Sequence, residues 1–339
     1  MKNRDSSIDI IRGLAVFTMV AANMVPDTLQ VGYPEWFRFY GTFAAPIFIF
    51  LSGMMVAITR RMKGYHFKYY LSRGITILLI GVLLDVVLWR IYPFMTYDIL
   101  YLIGLAIPLC YLLGNISNFA QYLVTGSILF ITPIFHNAIK YRETVDSFYI
   151  ETSFDEVLSN GLPLKSLFID GWFPVFPWMG IAFLGCFFGN VRLNKPNCLN
   201  KITGFAALLT LTMGIILWNT IPVSRYTRAG YIELFYPPGL SFVFMAVGVI
   251  LSLFLIVDRT HSCKVYIPFR LYGSISLLLY IVHLLIINVV FIPLSEQGIK
   301  FEFGYYYLIY LGVMIILLGI AFGVKMRKTG IKSFVTKIS

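Results

Sequence analysis

Long apolar runs separated by short polar segments dominate the pattern of hydrophobic and polar positions along the chain. A run of about 18 apolar residues is long enough to cross the hydrocarbon core of a bilayer. Within lipid, every backbone N–H and C=O must find an internal partner, so these runs are predicted to be helices. The predicted spans are 8–25, 39–59, 70–91, 97–113, 118–135, 172–189, 201–221, 238–257, 272–292 and 305–324.

The composition supports the same fold class, an all-α polytopic integral membrane protein with about ten transmembrane helices. Hydrophobic residues make up 58% of the chain and charged residues 13%, whereas a soluble domain carries about 25% charged residues. A transmembrane barrel would need alternating segments of about ten residues, and the sequence has none. We therefore expect residues 1–339 to form a single transmembrane domain in the plasma (inner) membrane.

The distribution of basic residues predicts the orientation. If the N-terminus is cytoplasmic, 18 of the 27 Lys and Arg residues fall on inner segments, Arg12 lies at the inner edge of the first span, and eight fall on outer segments, as the positive-inside rule requires. Ten spans return the basic tail 325–339 to the cytoplasm and place the acidic loop 136–170 outside. This asymmetry also accounts for the net charge of +11, so nucleic acid is not an expected partner.

Polar side chains inside the predicted spans are few, and each is a candidate functional residue because its burial in lipid is costly. In the first span Asp9 lies one turn before Arg12. Asn23 lies eleven residues beyond Arg12, which places it on the same helical face about 16 Å away. His283 lies near the middle of the ninth span, on one face with Tyr280, and histidine suits general-base catalysis near neutral pH. An Asp9–Arg12 ion pair and packing hydrogen bonds of Asn23 and His283 are the structural alternatives.

A second set of charged residues lies toward the predicted outer surface. Asp85 is in the outer third of the third span, Asp98 opens the fourth, and Asp170 precedes the sixth in the string DGWFPVFPWMG. In the functional interpretation these carboxylates converge with Asn23 and an arginine of the second outer segment, Arg225 or Arg228. In the structural alternative, Asp85 pairs with Arg90, and Asp98 and Asp170 cap helices.

Five segments in order resemble membrane acyltransferases related to heparan-α-glucosaminide N-acetyltransferase, over residues 4 to about 290. They are RDSSIDIIRGLAVFTMVAANM, FAAPIFIFLSGM, YDILYLIGLAIPL, DGWFPVFPWMGIAFLGCFFGN and YGSISLLLYIVHLL. The resemblance implies a ten-span unit that passes an acetyl group from cytoplasmic acetyl-CoA to an extracytoplasmic amino sugar or other glycan. No metal-type Cys/His spacing occurs, so no metal is expected, and a homodimer is left open.

Residue roles follow from combining the resemblance with the polar positions. The catalytic candidates are His283, Asn23 and Asp98. The candidates for binding the acetyl-CoA donor are Arg12, Asp9 and Arg73. The candidates for binding the acceptor are Asp170, Asp85, Arg228 and Trp178.

The chain departs from the family pattern at the usual histidine. In the heparan-acetylating enzymes a histidine follows the asparagine of the first span by eleven residues, and that position here is Pro34. In the broader type-three acyltransferases a histidine follows the first-span arginine by eleven residues, and that position is Asn23. Tyr101 stands where relatives often have histidine. A transporter or flippase for a lipid-linked or polar solute, or a non-catalytic subunit of a membrane assembly, is therefore kept as an alternative.

Overall fold

The computed structural model describes residues 5–30, 34–138, 155, 163–194, 199–220 and 238–329. Its main helices are α1 (Ser6–Thr28), α2 (Glu35–Thr42), α3 (Ala44–Lys63), α4 (Phe67–Leu84), α5 (Ile99–Leu113), α6 (Asn118–Ala138), α7 (Val175–Asn194), α8 (Leu199–Thr220), α9 (Leu240–Thr260), α10 (Ile267–Ser274), α11 (Ser276–Ile286) and α12 (Phe303–Thr329). Shorter helical turns are Asp85–Trp89, Pro163–Lys165, Ser166–Asp170, Lys264–Tyr266, Ile287–Phe291 and Ile292–Glu296. The described ranges contain no strand, and an isolated parallel bridge joins Leu29 to Phe301.

The helices match the predicted spans. Nine stretches within the described ranges are long and apolar enough to cross a membrane, and α5, with 15 residues, is a shorter apolar helix. Each of these ten corresponds to one predicted span. The protein is therefore an all-α polytopic membrane protein, as the sequence predicted. The placement of the loop 136–170 outside and of the tail 325–339 inside stays a prediction, because both lie mostly outside the described residues.

The ninth predicted span is not one continuous helix. α10 ends at Ser274 and α11 begins at Ser276, because Ile275 leaves the helical region (φ −135°, ψ 31°). The hydroxyl of Ser274 donates to the carbonyl of Leu271 at 2.8 Å, and a Gly-Ser pair is a common site for a sharp helix kink. The expectation of an unbroken helix over 272–292 was therefore wrong at Ile275.

Contacts within the chain divide it into two compact units. Unit 1 comprises Met1–Ile47, Ile232–Leu234 and Ser252–Ser339, and unit 2 comprises Phe48–Tyr231 and Phe235–Leu251. Unit 1 thus holds α1, α2 and α10 to α12. Unit 2 holds α4 to α8 and most of α3.

In unit 1 the backbones of α1 and α10 approach closely at two glycines. A Cβ on Gly13 would collide with the carbonyl oxygen of Phe269, and a Cβ on Gly273 with the carbonyl oxygen of Asp9. α12 packs on α1 in the opposite direction, and the Tyr310 hydroxyl donates to the carbonyl of Phe17 at 2.9 Å. Small residues at such crossings are typical of membrane helices, where close van der Waals packing replaces the hydrophobic effect.

In unit 2 glycines likewise allow the backbones of α3 and α7 to approach closely. A Cβ on Gly53 would overlap the carbonyl oxygen of Ala182, and one on Gly185 would overlap the carbonyl oxygen of Phe50. Gly185 lies against Phe50 and Gly189 lies against Met54, so positions advance together along the two helices and α3 and α7 run parallel. α4 and α5 run antiparallel, with Gly74 and Gly104 facing each other. These directions are the ones that the predicted succession of spans requires.

Candidate active site

Asn23 and His283 meet in unit 1. The amide nitrogen Nδ2 of Asn23 lies 3.0 Å from Nε2 of His283, which joins α1 to α11 in the interior of the bundle. The His283 side chain is 1% exposed. The sequence analysis proposed both residues as catalytic candidates, and the fold brings them into direct contact although 260 positions separate them.

The contact of the second ring nitrogen identifies the tautomer of His283. Nδ1 of His283 lies 3.1 Å from the carbonyl oxygen of Leu279. A carbonyl oxygen can only accept, so Nδ1 carries the proton in this arrangement and Nε2 presents its lone pair. The amide of Asn23 therefore donates to Nε2. The Tyr280 ring stands edge-on to the imidazole at 5.4 Å and helps to hold its plane.

Arg12 lies at the other end of the polar face of α1. Its guanidinium is 3.5 Å from the carboxylate of Asp9 and donates to the carbonyl oxygen of Gly273 at 3.4 Å. The ion pair at i,i+3 spacing was one of the two interpretations of this pair. The C-terminal carbonyls of a helix carry partial negative charge, so the end of α10 suits an arginine. Arg12 thus reaches the helix break, while Asn23 reaches His283 beyond it.

The carboxylate of Asp85 lies in unit 2. Asp85 begins the turn that continues α4, and its Oδ2 accepts a hydrogen bond of 2.5 Å from the Tyr101 hydroxyl. Both side chains are buried. The sequence analysis noted Tyr101 as a departure from the family's histidine and did not assign it to the site. Sequence reasoning did not predict this bond, because it depends on how α4 packs against α5.

The segments that carry Asp98 and Asp170 lie side by side in unit 2. The backbone N–H of Trp172 donates to the carbonyl of Thr96 at 2.7 Å, and that of Phe173 donates to the carbonyl of Tyr97 at 2.9 Å. Asp170 itself is within 3.5 Å of the Lys165 ammonium group, with its side chain fully enclosed.

The capping interpretation fits these two aspartates poorly. Asp98 occupies the N-cap position of α5, but its side chain makes no capping hydrogen bond. Asp170 ends the turn Ser166–Asp170, and α7 begins only at Val175, so Asp170 is not the cap of that helix. The interpretation was wrong for Asp170, because the non-helical residues 171–174 separate it from the start of α7.

Two of the three remaining candidates, Trp178 and Arg73, lie within the described residues. The indole of Trp178 is enclosed between the rings of Phe173 and Phe242, at 5.1 and 5.2 Å. Arg73 lies on the exposed face of α4. Arg228 lies outside the described residues. The predicted convergence of the unit 2 carboxylates with Asn23 stays a prediction.

Comparison with known families adds the reaction class. A family model described as "Heparan-alpha-glucosaminide N-acetyltransferase, catalytic" matches residues 4–218. The match includes Asn23 and Arg12 and ends before His283, so the assignment of His283 depends on its geometry. A comparison with curated proteins gave no match. Because the family model covers more than half of the chain, the protein belongs to the heparan-alpha-glucosaminide N-acetyltransferase catalytic family.

Proposed function

We propose that the protein transfers an acetyl group from cytoplasmic acetyl-CoA to an extracytoplasmic amino sugar or glycan across the plasma (inner) membrane. The observation that supports this most is the 3.0 Å contact between Asn23 and His283. It places a neutral imidazole and an amide donor together inside the spanning helices. Family membership supplies the general chemistry of N-acetyl transfer.

In the proposed mechanism, the acceptor's N–H or O–H replaces the amide of Asn23 at Nε2 of His283. Nε2 takes the proton while the acceptor nitrogen or oxygen forms a bond to the acetyl carbonyl carbon. The C–S bond then breaks, and the CoA thiolate leaves and recovers the proton from His283. The released amide of Asn23 donates to the carbonyl oxygen as negative charge develops on it. The Nδ1–H bond to Leu279 keeps Nε2 aimed at the reacting atoms.

The charged candidates divide by substrate. Arg12, positioned by Asp9, and Arg73 suit the phosphate groups of the donor, because guanidinium binds phosphate through paired hydrogen bonds. Carboxylates suit the amine and hydroxyl groups of a sugar. We assign the acceptor to the carboxylates of unit 2, of which Asp98 is the catalytic candidate, and to Trp178 and Arg228. Asp85 and Asp170 complete this set.

The test is acetyl transfer by the full-length protein purified in detergent, with radiolabelled acetyl-CoA and a panel of amino sugars and polysaccharides. We expect His283→Ala to lower the initial rate by about 100-fold or more, since a general base contributes that much. Asn23→Ala should lower it by a similar factor, because one oxyanion donor is worth about 100- to 1,000-fold.

The matched control is His261→Ala. His261 is exposed, directly after α9, and its ring Nδ1 lies 3.0 Å from the carbonyl oxygen of Asp258, so loss of the imidazole should leave transfer unchanged. Equal rates for His283→Ala and His261→Ala would overturn the proposed role of His283. If millimolar acetyl-CoA does not raise the unfolding temperature of the wild-type protein, the assignment of acetyl-CoA as the donor would be overturned.

One observation favours the transport alternative. The break at Ile275 divides a spanning segment into α10 and α11, and discontinuous helices are frequent at the binding sites of transporters. A transporter would move its solute across sealed vesicles without acetyl-CoA. Solute uptake that needs no acetyl-CoA and leaves the solute unmodified would favour that function over acetyl transfer.

A further inference from the structure

Unit 2 contains a cavity of about 270 Å³ that the proposed acetyl-transfer residues do not use. It lies at the C-terminal ends of α3, α5 and α7, which the orientation predicted from the sequence places at the cytoplasmic surface. Its wall includes Arg60, Arg61, Cys110, Gly114, Cys186 and Asn190. Both arginines belong to the 18 basic residues that the sequence analysis counted on inner segments.

Arg60 is held in a single position. Its Nη1 donates to the carbonyl of Tyr111 at 3.2 Å, and its Nη2 donates to Oδ1 of Asn115 at 2.6 Å. The guanidinium also lies 4.8 Å from the centre of the Tyr111 ring, a cation–π distance. Gly114 leaves room for this arrangement, since a Cβ there would collide with Nη1. Orienting a long side chain costs entropy, and here that cost is met before any ligand arrives.

The charge of this fixed guanidinium is not neutralised. Its partners are a carbonyl, an amide oxygen and a ring, all of them neutral. Within the described part of the chain neither Arg60 nor Arg61 forms an ion pair, and the cavity wall contains no carboxylate. Guanidinium has five N–H donors, so Arg60 has N–H groups left for a ligand, beside a second arginine and the amide of Asn190.

We propose that this cavity binds a phosphate ester, held by Arg60 and Arg61. Two neighbouring guanidinium groups without acidic partners favour a dianionic group that can accept paired hydrogen bonds. Small-molecule sites measure about 300–1,000 Å³, so a space of about 270 Å³ suits the phosphate end of a larger molecule. The source is either a nucleotide of the CoA type or the head group of an anionic lipid.

The competing explanation needs no ligand. Helix C-termini carry partial negative charge, and an arginine there is favourable by itself. Arg259 provides a matched example, because it lies near the end of α9 and donates to the carbonyl of Leu255 at 2.8 Å. The two explanations differ in whether phosphate compounds bind.

The experiment measures binding to the purified full-length protein by calorimetry and thermal shift. The probes are adenosine 3′,5′-bisphosphate, pyrophosphate, and lipid nanodiscs of phosphatidylcholine with or without phosphatidic acid. We expect saturable binding of one probe class. We expect it to weaken at least tenfold in Arg61→Gln and further in the double variant with Arg60→Gln, and to remain unchanged in Arg259→Gln. Arg61 is exposed, so its variant tests the site with little effect on the fold.

The two thiols of the wall give an independent readout. Cys110 and Cys186 are free thiols, and the Cys186 Sγ points to the carbonyl of Cys110 at 3.8 Å. A bound probe should slow their modification by methyl methanethiosulfonate, measured by mass spectrometry, while the exposed Cys263 reacts at an unchanged rate.

Stabilisation by the nucleotide alone identifies a nucleotide phosphate, and stabilisation by phosphatidic acid alone identifies a lipid. Absence of binding by every probe, or binding that is equally strong in the double variant, would overturn the proposal. The two arginines would then be explained by their favourable interaction with the helix C-termini alone. No probe carries an acetyl group, so this result is independent of whether the protein transfers one.

Discussion

At the scale of single residues, the position of the Asp85 carboxyl group depends on Tyr101. Asp85 is 1% exposed, and the Tyr101 hydroxyl donates to it at 2.5 Å. A buried acceptor that loses its donor is left with its desolvation penalty, about 1–3 kcal/mol. Since we assign Asp85 to the acceptor site, Tyr101 acts as its positioning residue, in the place where relatives often carry histidine.

Replacing Tyr101 by phenylalanine should therefore lower the free energy of unfolding by about 1–3 kcal/mol. Chemical denaturation in detergent measures the change. Tyr122→Phe is the control, because Tyr122 is 64% exposed on α6 and its hydroxyl should matter by less than about 0.5 kcal/mol. A loss for Tyr101→Phe no larger than that of Tyr122→Phe would contradict the account of this bond.

The residues differ in how far the sequence alone could pair them. The ion pair of Asp9 and Arg12 follows from helical spacing, so it was predictable. Spacing also placed Asn23 on the face of Arg12, and the cost of polar groups in lipid singled out His283. That Asn23 contacts His283 could not be predicted, because the contact depends on which of ten helices pack together.

At the scale of elements, the helices α1 and α10–α11 run parallel. Arg12 lies near Gly273 and Asn23 lies near His283, so residue numbers increase in the same direction along α1 and along α10–α11. Two parallel spans need an odd number of spans between them, and seven lie between the first and the ninth predicted span. Apolar run length was enough to predict every span. Apolar run length could not predict the break at Ile275, because an apolar residue occupies the position where the helix is interrupted.

The close crossing of α1 and α10 makes Gly13 sensitive to added volume. In Gly13→Ala the new methyl group meets the Phe269 carbonyl, so the helices must separate, and we expect a loss of about 1–3 kcal/mol in unfolding free energy. Gly312→Ala on α12 is the matched control, since nothing lies within 4 Å of that site. There alanine should be neutral or stabilising by up to about 1 kcal/mol. Equal effects of the two changes would argue against the crossing.

At the scale of the whole molecule, the orientation is predicted from charge, and a cysteine can test it. Cys263 is exposed in the loop between α9 and α10, which the prediction places in the cytoplasm. In a Cys198→Ser background, a membrane-impermeant maleimide should label Cys263 in inside-out vesicles and not in right-side-out vesicles. Gln297→Cys, combined with Cys263→Ser, should show the opposite pattern, because residue 297 precedes α12 on the predicted outer side. Labelling of Cys263 in right-side-out vesicles would show that the predicted orientation is wrong.

The central claim is that the Asn23–His283 pair passes an acetyl group to an acceptor on the far side of the bilayer. The most direct measurement uses sealed proteoliposomes whose cytoplasmic face is outward, with labelled acetyl-CoA outside and an amino-sugar acceptor inside. We predict labelled acceptor inside the vesicles, formed about 100-fold or more slowly by His283→Ala and at the wild-type rate by His261→Ala. Transfer that persists in His283→Ala, or that modifies only acceptor on the acetyl-CoA side, would contradict the account.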